Sequence, residues 1–292
     1  MTRALLHDTT PSEEAARKLL LDLCWQGGKR QCPRCRTVDP YALAEGRLRC
    51  PGCRYTFHDF TGRWLNLTGL SCRQWLIVAR AFALEMGTRE VADQANVSYN
   101  TSLKALTALR LAIVARGTDA LQMLTPETGL AGLLEGGRLH SGHEAAPLGG
   151  FPVYGIMSRG RHAFVDLVPE LSVESILHFN HNFHLRVRKQ GHILVTDRYR
   201  AYEALLVCGD DSLPYHYLRG HQGEIFAESG GCLFWSYSRE RLSRFKGLSW
   251  PRFPLYLKEL ELRFNNQNAD LTPVFLAALC APVPVHLAFP PA

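Results

Sequence analysis

The chain has 292 residues, 46% of them hydrophobic and 21% charged, with a formal net charge of +6. That length allows two or three domains and at least one sizeable core, and the composition is that of a soluble globular protein. No apolar run approaches the roughly 20 residues needed to cross a bilayer, and no charged and apolar leader opens the chain, which leaves a soluble, cytoplasmic protein as the expectation.

Charge is distributed unevenly. Residues 1–117 hold 17 Lys and Arg against 10 Asp and Glu, whereas the remainder holds 16 against 17. A polyanion such as DNA would therefore be attracted to the N-terminal part.

Residues 11–24 read as a helix with acidic residues in its first turn and apolar positions at Ala15, Leu19 and Cys24. Cys32-Pro-Arg-Cys35 and Cys50-Pro-Gly-Cys53 follow, two Cys-x-x-Cys knuckles with the spacing of a four-cysteine zinc ribbon. Between them, Tyr41 to Ala44 and Arg47 to Arg49 read as short strands turning at Glu45-Gly46. Tyr55 to Gly62 alternates like the strand that completes this small sheet. His58 lies close by, but four thiolates already fill a tetrahedral zinc site. The other five cysteines, Cys24, Cys72, Cys208, Cys232 and Cys280, are scattered and odd in number, as in a reducing compartment.

Ser71 to Met86 has helical spacing with Trp75, Val78, Ala79 and Phe82 on one face. Thr88 to Ala95 is a second helix, capped by Thr88, and Asn96-Val97-Ser98 is a turn ending on the N-cap of a third, Tyr99 to about Ala115. Leu103, Leu106, Leu109 and Ile113 are spaced to face its neighbours. Short helix, turn and Ser-capped helix form the helix-turn-helix plan, which would aim Tyr99, Asn100, Thr101 and Lys104 at a DNA groove. An ordinary three-helix bundle with a polar face is the competing reading.

A turn-rich connection over 117–132 marks a domain boundary, beyond which strands and helices alternate. Residues 151–157 and 162–168 read as paired strands, 171–183 as a helix, 191–196 as a buried strand ending at Asp197, and 198–206 as a helix. A carboxylate between a central strand and a helix is where open α/β sheets keep functional groups. His178, His181 and His184 are spaced three apart, but the outer two fall on different helix faces, poor geometry for one metal. Residues 234–246 are basic and aromatic, placing Arg239, Arg244 and Lys246 as DNA-backbone contacts, and 253–266 is a helix with Leu257, Leu260 and Phe264 inward. The residues after Cys280 read as a loose tail.

Several blocks together resemble insertion-sequence transposases of the DDE type with an N-terminal transposase zinc ribbon. They are Leu23 to Gly27, the two knuckles, Phe57 to Gly62, Trp75, Ala92 to Leu106, Val195-Thr196-Asp197 with Ala201-Tyr202, Phe234-Trp235-Ser236, and Tyr256 to Asn265. The resemblance spans roughly residues 10–268. It implies an α+β multidomain chain: an N-terminal helix (1–30), a four-cysteine zinc ribbon (31–66), a helix-turn-helix domain (67–117), an α/β RNase-H-like domain (130–270) and a tail (271–292). In such a domain three acidic or amide side chains hold two Mg2+ ions, one activating the attacking oxygen and the other steadying the leaving oxygen.

Asp197 matches the second of those ligands. At the first position the chain offers Leu133-Leu-Glu-Gly-Gly-Arg138, where the expected Asp falls on Gly136 or Gly137 and Glu135 is the nearby acid. At the third it offers Ala227-Glu-Ser-Gly-Gly-Cys232, with Ser229 and Cys232 where Asn and Glu are expected. Glycine has no ligand, and a thiolate suits hard Mg2+ poorly. The resemblance then implies a transposase-derived, zinc-containing protein that binds double-stranded DNA, as a homodimer or higher oligomer and nucleoid-associated in a bacterium, with its catalytic site degenerate. Two alternatives stand beside it. One is an active, Mg2+-dependent transposase with a shifted triad of Glu135, Asp197 and Glu228 or Glu224; the other is a zinc-ribbon module that binds protein.

Overall fold

The computed structural model describes residues 11–25, 28–117, 119–124, 130, 133–135, 138–139, 153–159, 162–168, 185–187, 193–196, 203–208, 233–242, 244, 252–284 and 287. In chain order the elements are α1 (Glu13–Cys24), β1 (Tyr41–Ala42), β2 (Leu48–Arg49), β3 (Thr56–Phe57), α2 (Cys72–Ala83), α3 (Thr88–Ala95) and α4 (Tyr99–Val114). They continue with α5 (Ala120–Met123), β4 (Leu134–Glu135), β5 (Arg138–Leu139), β6 (Val153–Arg159), β7 (His162–Val168), β8 (Leu185–Val187), β9 (Ile193–Thr196) and β10 (Glu203–Cys208). The last are α6 (Leu233–Leu242), α7 (Phe253–Asn265) and α8 (Thr272–Leu279). Two compact units result: one holds 1–116, 134–140 and 270–292, the other 117–133 and 141–269.

In the first unit α1 starts on Ser12, whose hydroxyl accepts the Ala15 N–H. Its buried stripe is Ala16, Leu20 and Cys24, whereas Ala15 and Leu19 are exposed. The inward face is therefore one residue later than Ala15 and Leu19 suggested; the doublets Ala15-Ala16 and Leu19-Leu20 fit either stripe. Glu13 reaches from the first turn of α1 to the N-terminus of α2, accepting the N–H groups of Cys72 and Arg73, each at 2.8 Å. Ser71 and Gln74 complete that end as a capping box. Thr88 is the first helical residue of α3 and not its cap; Gly87 is the cap, its N–H taken by Glu90.

Trp75, Val78, Ala79 and Phe82 are all buried, and the Trp75 indole donates to the Leu65 carbonyl at 2.8 Å. From Ala105 to Val114 α4 is buried on every side, so it forms the axis of this unit. Ser102 ties it to α3 by donating to the Thr88 carbonyl. The segment expected as a tail supplies part of the same core: α8 buries Phe275, Leu276, Ala278 and Leu279, and Phe275 meets Phe82 edge-on with centroids 4.8 Å apart. Apolar residues at Leu271, Phe275 and Leu279 give that helix an i, i+4 stripe, and the Pro-rich composition around it obscured the pattern. Buried Arg63 joins the C-terminal ends of α1 and α8 by donating to the carbonyls of Cys24 and Cys280, and its guanidinium lies 4.2 Å from the Trp25 ring.

The second unit carries a five-stranded sheet in the order β7-β6-β10-β9-β8, with every neighbouring pair antiparallel. Residues 203–208 are thus a strand, where a helix over 198–206 was expected. Glu203-Ala-Leu-Leu-Val-Cys208 is a short apolar run, equally apt as a buried strand, and it pairs on both sides, Leu205 with Ile156 and Val195. Strands β6 and β7 pair as expected, with Arg159 opposite His162 at the end of the ladder.

Helix α7 caps the edge strand β7. Asn265 accepts the Ala163 N–H and donates to its carbonyl, both at 2.7 Å, as a neighbouring strand would. Glu261 accepts the Val165 N–H at 2.7 Å, and Lys258 donates to the Val165 carbonyl at 2.9 Å. Lys258 also pairs with Glu261 and Asp119 at 2.7 and 2.9 Å. Burial pushes the Glu261 carboxyl up, against the pull of Lys258.

Candidate metal centre and nucleic-acid interface

The ribbon is a three-stranded antiparallel sheet in the order β1-β2-β3, with Glu45 and Gly46 at positive φ in the turn between the first two strands. Its core is minimal: Cys32, Leu48, Cys50 and Phe57, with Tyr55 packed against it. So small a core needs a further constraint to hold it.

A metal held by the four cysteines would supply that constraint. Cys32 and Cys50 are buried at the roots of the knuckles, and Cys35 and Cys53 are exposed at the tips. All four Sγ atoms lie within 4.8 Å of one another; Cys32 to Cys53 is 3.6 Å and Cys35 to Cys50 is 3.4 Å. A tetrahedron of sulfurs about 2.3 Å from a central zinc has edges of about 3.8 Å, so the donor set and spacing fit Zn2+. Among the described residues no other group of His, Cys, Asp or Glu meets that closeness.

The thiols differ before any ion binds. The Thr37 hydroxyl, then its backbone, holds Cys35 down at about 6, while burial pushes Cys32 up to about 12. A metal would therefore find a thiolate ready at Cys35 and displace a proton at Cys32. Gly52 is fixed by crowding, since a Cβ there would lie 2.8 Å from Thr37 Oγ1.

The residues assigned to DNA contact by sequence fall into three cases. Tyr99, Asn100 and Lys104 are exposed on the first turns of α4, after a turn in which Asn96 is left-handed (φ 51) and Ser98 caps the helix. Thr101 is half-buried, and its hydroxyl is engaged with Ser98 at 2.9 Å, so it shapes the cap more than it faces outward. Arg244 is exposed and paired with Glu240 at 2.6 Å. Arg239 lies on α6, and Lys246 falls outside the described residues.

The catalytic candidates stand differently. Glu135 lies on β4 opposite Arg138 of β5, in a two-stranded hairpin separate from the five-stranded sheet. Asp197, Glu228, Glu224 and the helix expected over 171–183, with His178 and His181 on it and His184 just beyond, lie outside the described residues.

Sequence reasoning missed the polar stripe Lys258, Glu261 and Asn265. No local signal set the stripe apart, because Glu259 and Arg263 on the same helix are charged as well and pair with each other at 2.8 Å.

The transposase zinc-ribbon family matches residues 11–56, over α1 and the knuckles, and the ISXO2-like transposase domain family matches residues 141–265. Two domain families of insertion-sequence transposases therefore match the chain, the zinc ribbon ahead of the transposase domain. An uncharacterized transposase-like protein of Haemophilus influenzae is 34% identical over 85 residues, a match spanning 27% of this chain and 65% of that protein's length. No solved structure matches the chain. Among the described residues no helix is long and apolar enough to cross a membrane.

Proposed function

We propose that this transposase-related protein is a sequence-specific binder of duplex DNA, organised by a structural Zn2+, whose RNase-H-like half no longer cuts and joins strands. The observation that carries the reading is the two-part character of α4: buried throughout from Ala105 to Val114, yet presenting Tyr99, Asn100 and Lys104 to solvent at its N-terminal turns. Helix-turn-helix recognition helices contact bases through that end while the rest is anchored in the domain. Loss of strand transfer is supported by the sequence at the first ligand position, where Gly136 or Gly137 stands in place of the expected Asp and Glu135, on the two-residue strand β4, is the nearby acid. Regulation or DNA architecture is the role such a binder would keep.

The test is binding of the full chain to duplex DNA flanking its own gene over a range of salt. Lys104→Ala should weaken binding and flatten the salt slope by about 1, while Asp197→Ala leaves binding unchanged. Identical curves for wild type and Lys104→Ala would count against the α4 reading. An active transposase is favoured by one observation, a family match running unbroken over 141–265, which includes Asp197 and Glu228. On that reading Glu135, Asp197 and Glu228 would hold Mg2+.

A further inference from the structure

The two knuckles share four of six positions, the two cysteines, the proline and the following arginine: Cys32-Pro33-Arg34-Cys35-Arg36-Thr37 and Cys50-Pro51-Gly52-Cys53-Arg54-Tyr55. Their backbones repeat as well. Cys32 donates to the Thr37 carbonyl and receives Arg36, both at 2.9 Å; Cys50 donates to Tyr55 at 2.9 Å and receives Arg54 at 3.0 Å. In each copy the residue after the second cysteine sits in the left-handed region, Arg36 at φ 59 and Arg54 at φ 58. Glycine enters that region without steric cost, and arginine does not. The same strained choice made twice points to work done by the side chains.

Their surroundings show what work is open to them. Arg34, Arg36 and Arg54 are all exposed, and among the described residues no carboxylate lies within ion-pair distance of any of them. Two acids nearby are engaged elsewhere, Glu45 with Arg47 and Asp59 with Arg17 and Arg30. Thr37 abuts Gly52, so the two knuckles meet, and Arg34, Arg36 and Arg54 each adjoin a ligand cysteine in the chain. Residues 28–56 carry seven Lys and Arg against two Asp and Glu.

We propose that Arg36 and Arg54, with Arg34, form a phosphodiester-binding surface at the metal end of the ribbon, a contact with the DNA backbone separate from α4. The inference rests on the DNA-binding reading above and assigns the ribbon its share. Guanidinium groups suit phosphate oxygens, and such contacts position a protein on the duplex without reading sequence. The competing account is internal: the same cations could offset the negative charge of four thiolates around Zn2+.

Substitution by glycine separates the two, because glycine fits the left-handed backbone better than arginine. The zinc-loaded full chain is compared with Arg36→Gly, Arg54→Gly and the double variant for zinc content, thermal midpoint and binding to a duplex of about 30 base pairs between roughly 50 and 200 mM salt. Each single variant should keep its zinc and its midpoint while the slope of log K against log salt flattens by about 0.9, and by about 1.8 in the double variant. A wild-type slope in the double variant would overturn the proposal and leave the α4 reading standing. Loss of zinc with an unchanged slope would overturn it in favour of charge balance. Failure of the wild type to bind any duplex would overturn both readings.

Discussion

The ribbon and the helical part of the first unit hold themselves together by different means. The ribbon buries Cys32, Leu48, Cys50 and Phe57 and little else. The helices bury Trp64, Trp75, Phe82, Phe275 and the whole C-terminal part of α4 from Ala105 on. Apolar burial stabilises by about 25 cal/mol per Å2, so the second region draws its stability from packing, and the first would need metal coordination. A metal held by the four cysteines would support the ribbon, whereas packing alone supports the helices.

Zinc removal should expose this difference most strongly. Structural zinc sites contribute on the order of 10 kcal/mol to folding, so chelation, or Cys50→Ser, should abolish β1–β3 pairing as seen by amide exchange, with the helical circular dichroism largely kept. Loss of both signals together would erase the distinction. Next in size is Lys258→Ala in the second unit, which leaves the buried Asp119 carboxylate and Glu261 without their shared cation; breaking such a pair costs about 3–5 kcal/mol in denaturant unfolding. An unaltered midpoint would mean these groups are solvated.

Trp75→Ala should cost about 3–5 kcal/mol without loss of zinc, the converse of the cysteine variant. Arg63→Ala strips the donor from the carbonyls of Cys24 and Cys280 and should cost about 1–3 kcal/mol, with amide exchange rising at the ends of α1 and α8.

The smallest effect is set by pH. Burial alone would raise the Glu13 carboxyl, but the N–H groups of Arg73 and Cys72 outweigh it and hold it below its usual 4.5. A carboxylate whose folded pKa is depressed stabilises above the unfolded value, and that contribution disappears as pH falls through the folded one. Glu13→Gln should therefore lower the midpoint by the equivalent of at most about 1 kcal/mol at pH 7, with wild type and variant converging as pH falls below the folded value. A gap that persists in acid would assign the effect to packing.

What the sequence revealed follows the same division. Cys-x-x-Cys spacing, the Glu45-Gly46 turn and the cap Ser98 are local signals, and the structure places each as read. Signals that depend on distant partners were not legible. Which of Ala15 or Ala16 turns inward is decided by what packs on α1, and whether 203–208 is helix or strand is decided by β6 and β9 on either side. The apolar stripe of Leu271, Phe275 and Leu279 stood in the sequence, but its partner Phe82 on α2 did not follow from it. The backbone bonds of Asn265 and Glu261 are illegible for the same reason, because a polar residue on a helix gives no sign that a strand edge lies against it.

The central claim is DNA recognition without strand transfer, and one measurement addresses it most directly. Full-length, zinc-loaded protein is incubated with end-labelled duplex flanking its own gene in Mg2+ or Mn2+, and the DNA is resolved both as a native complex and on a denaturing gel. The account predicts a retarded complex whose strands remain intact for wild type and Asp197→Ala alike. Nicked or joined strands with wild type that vanish with Asp197→Ala would contradict it.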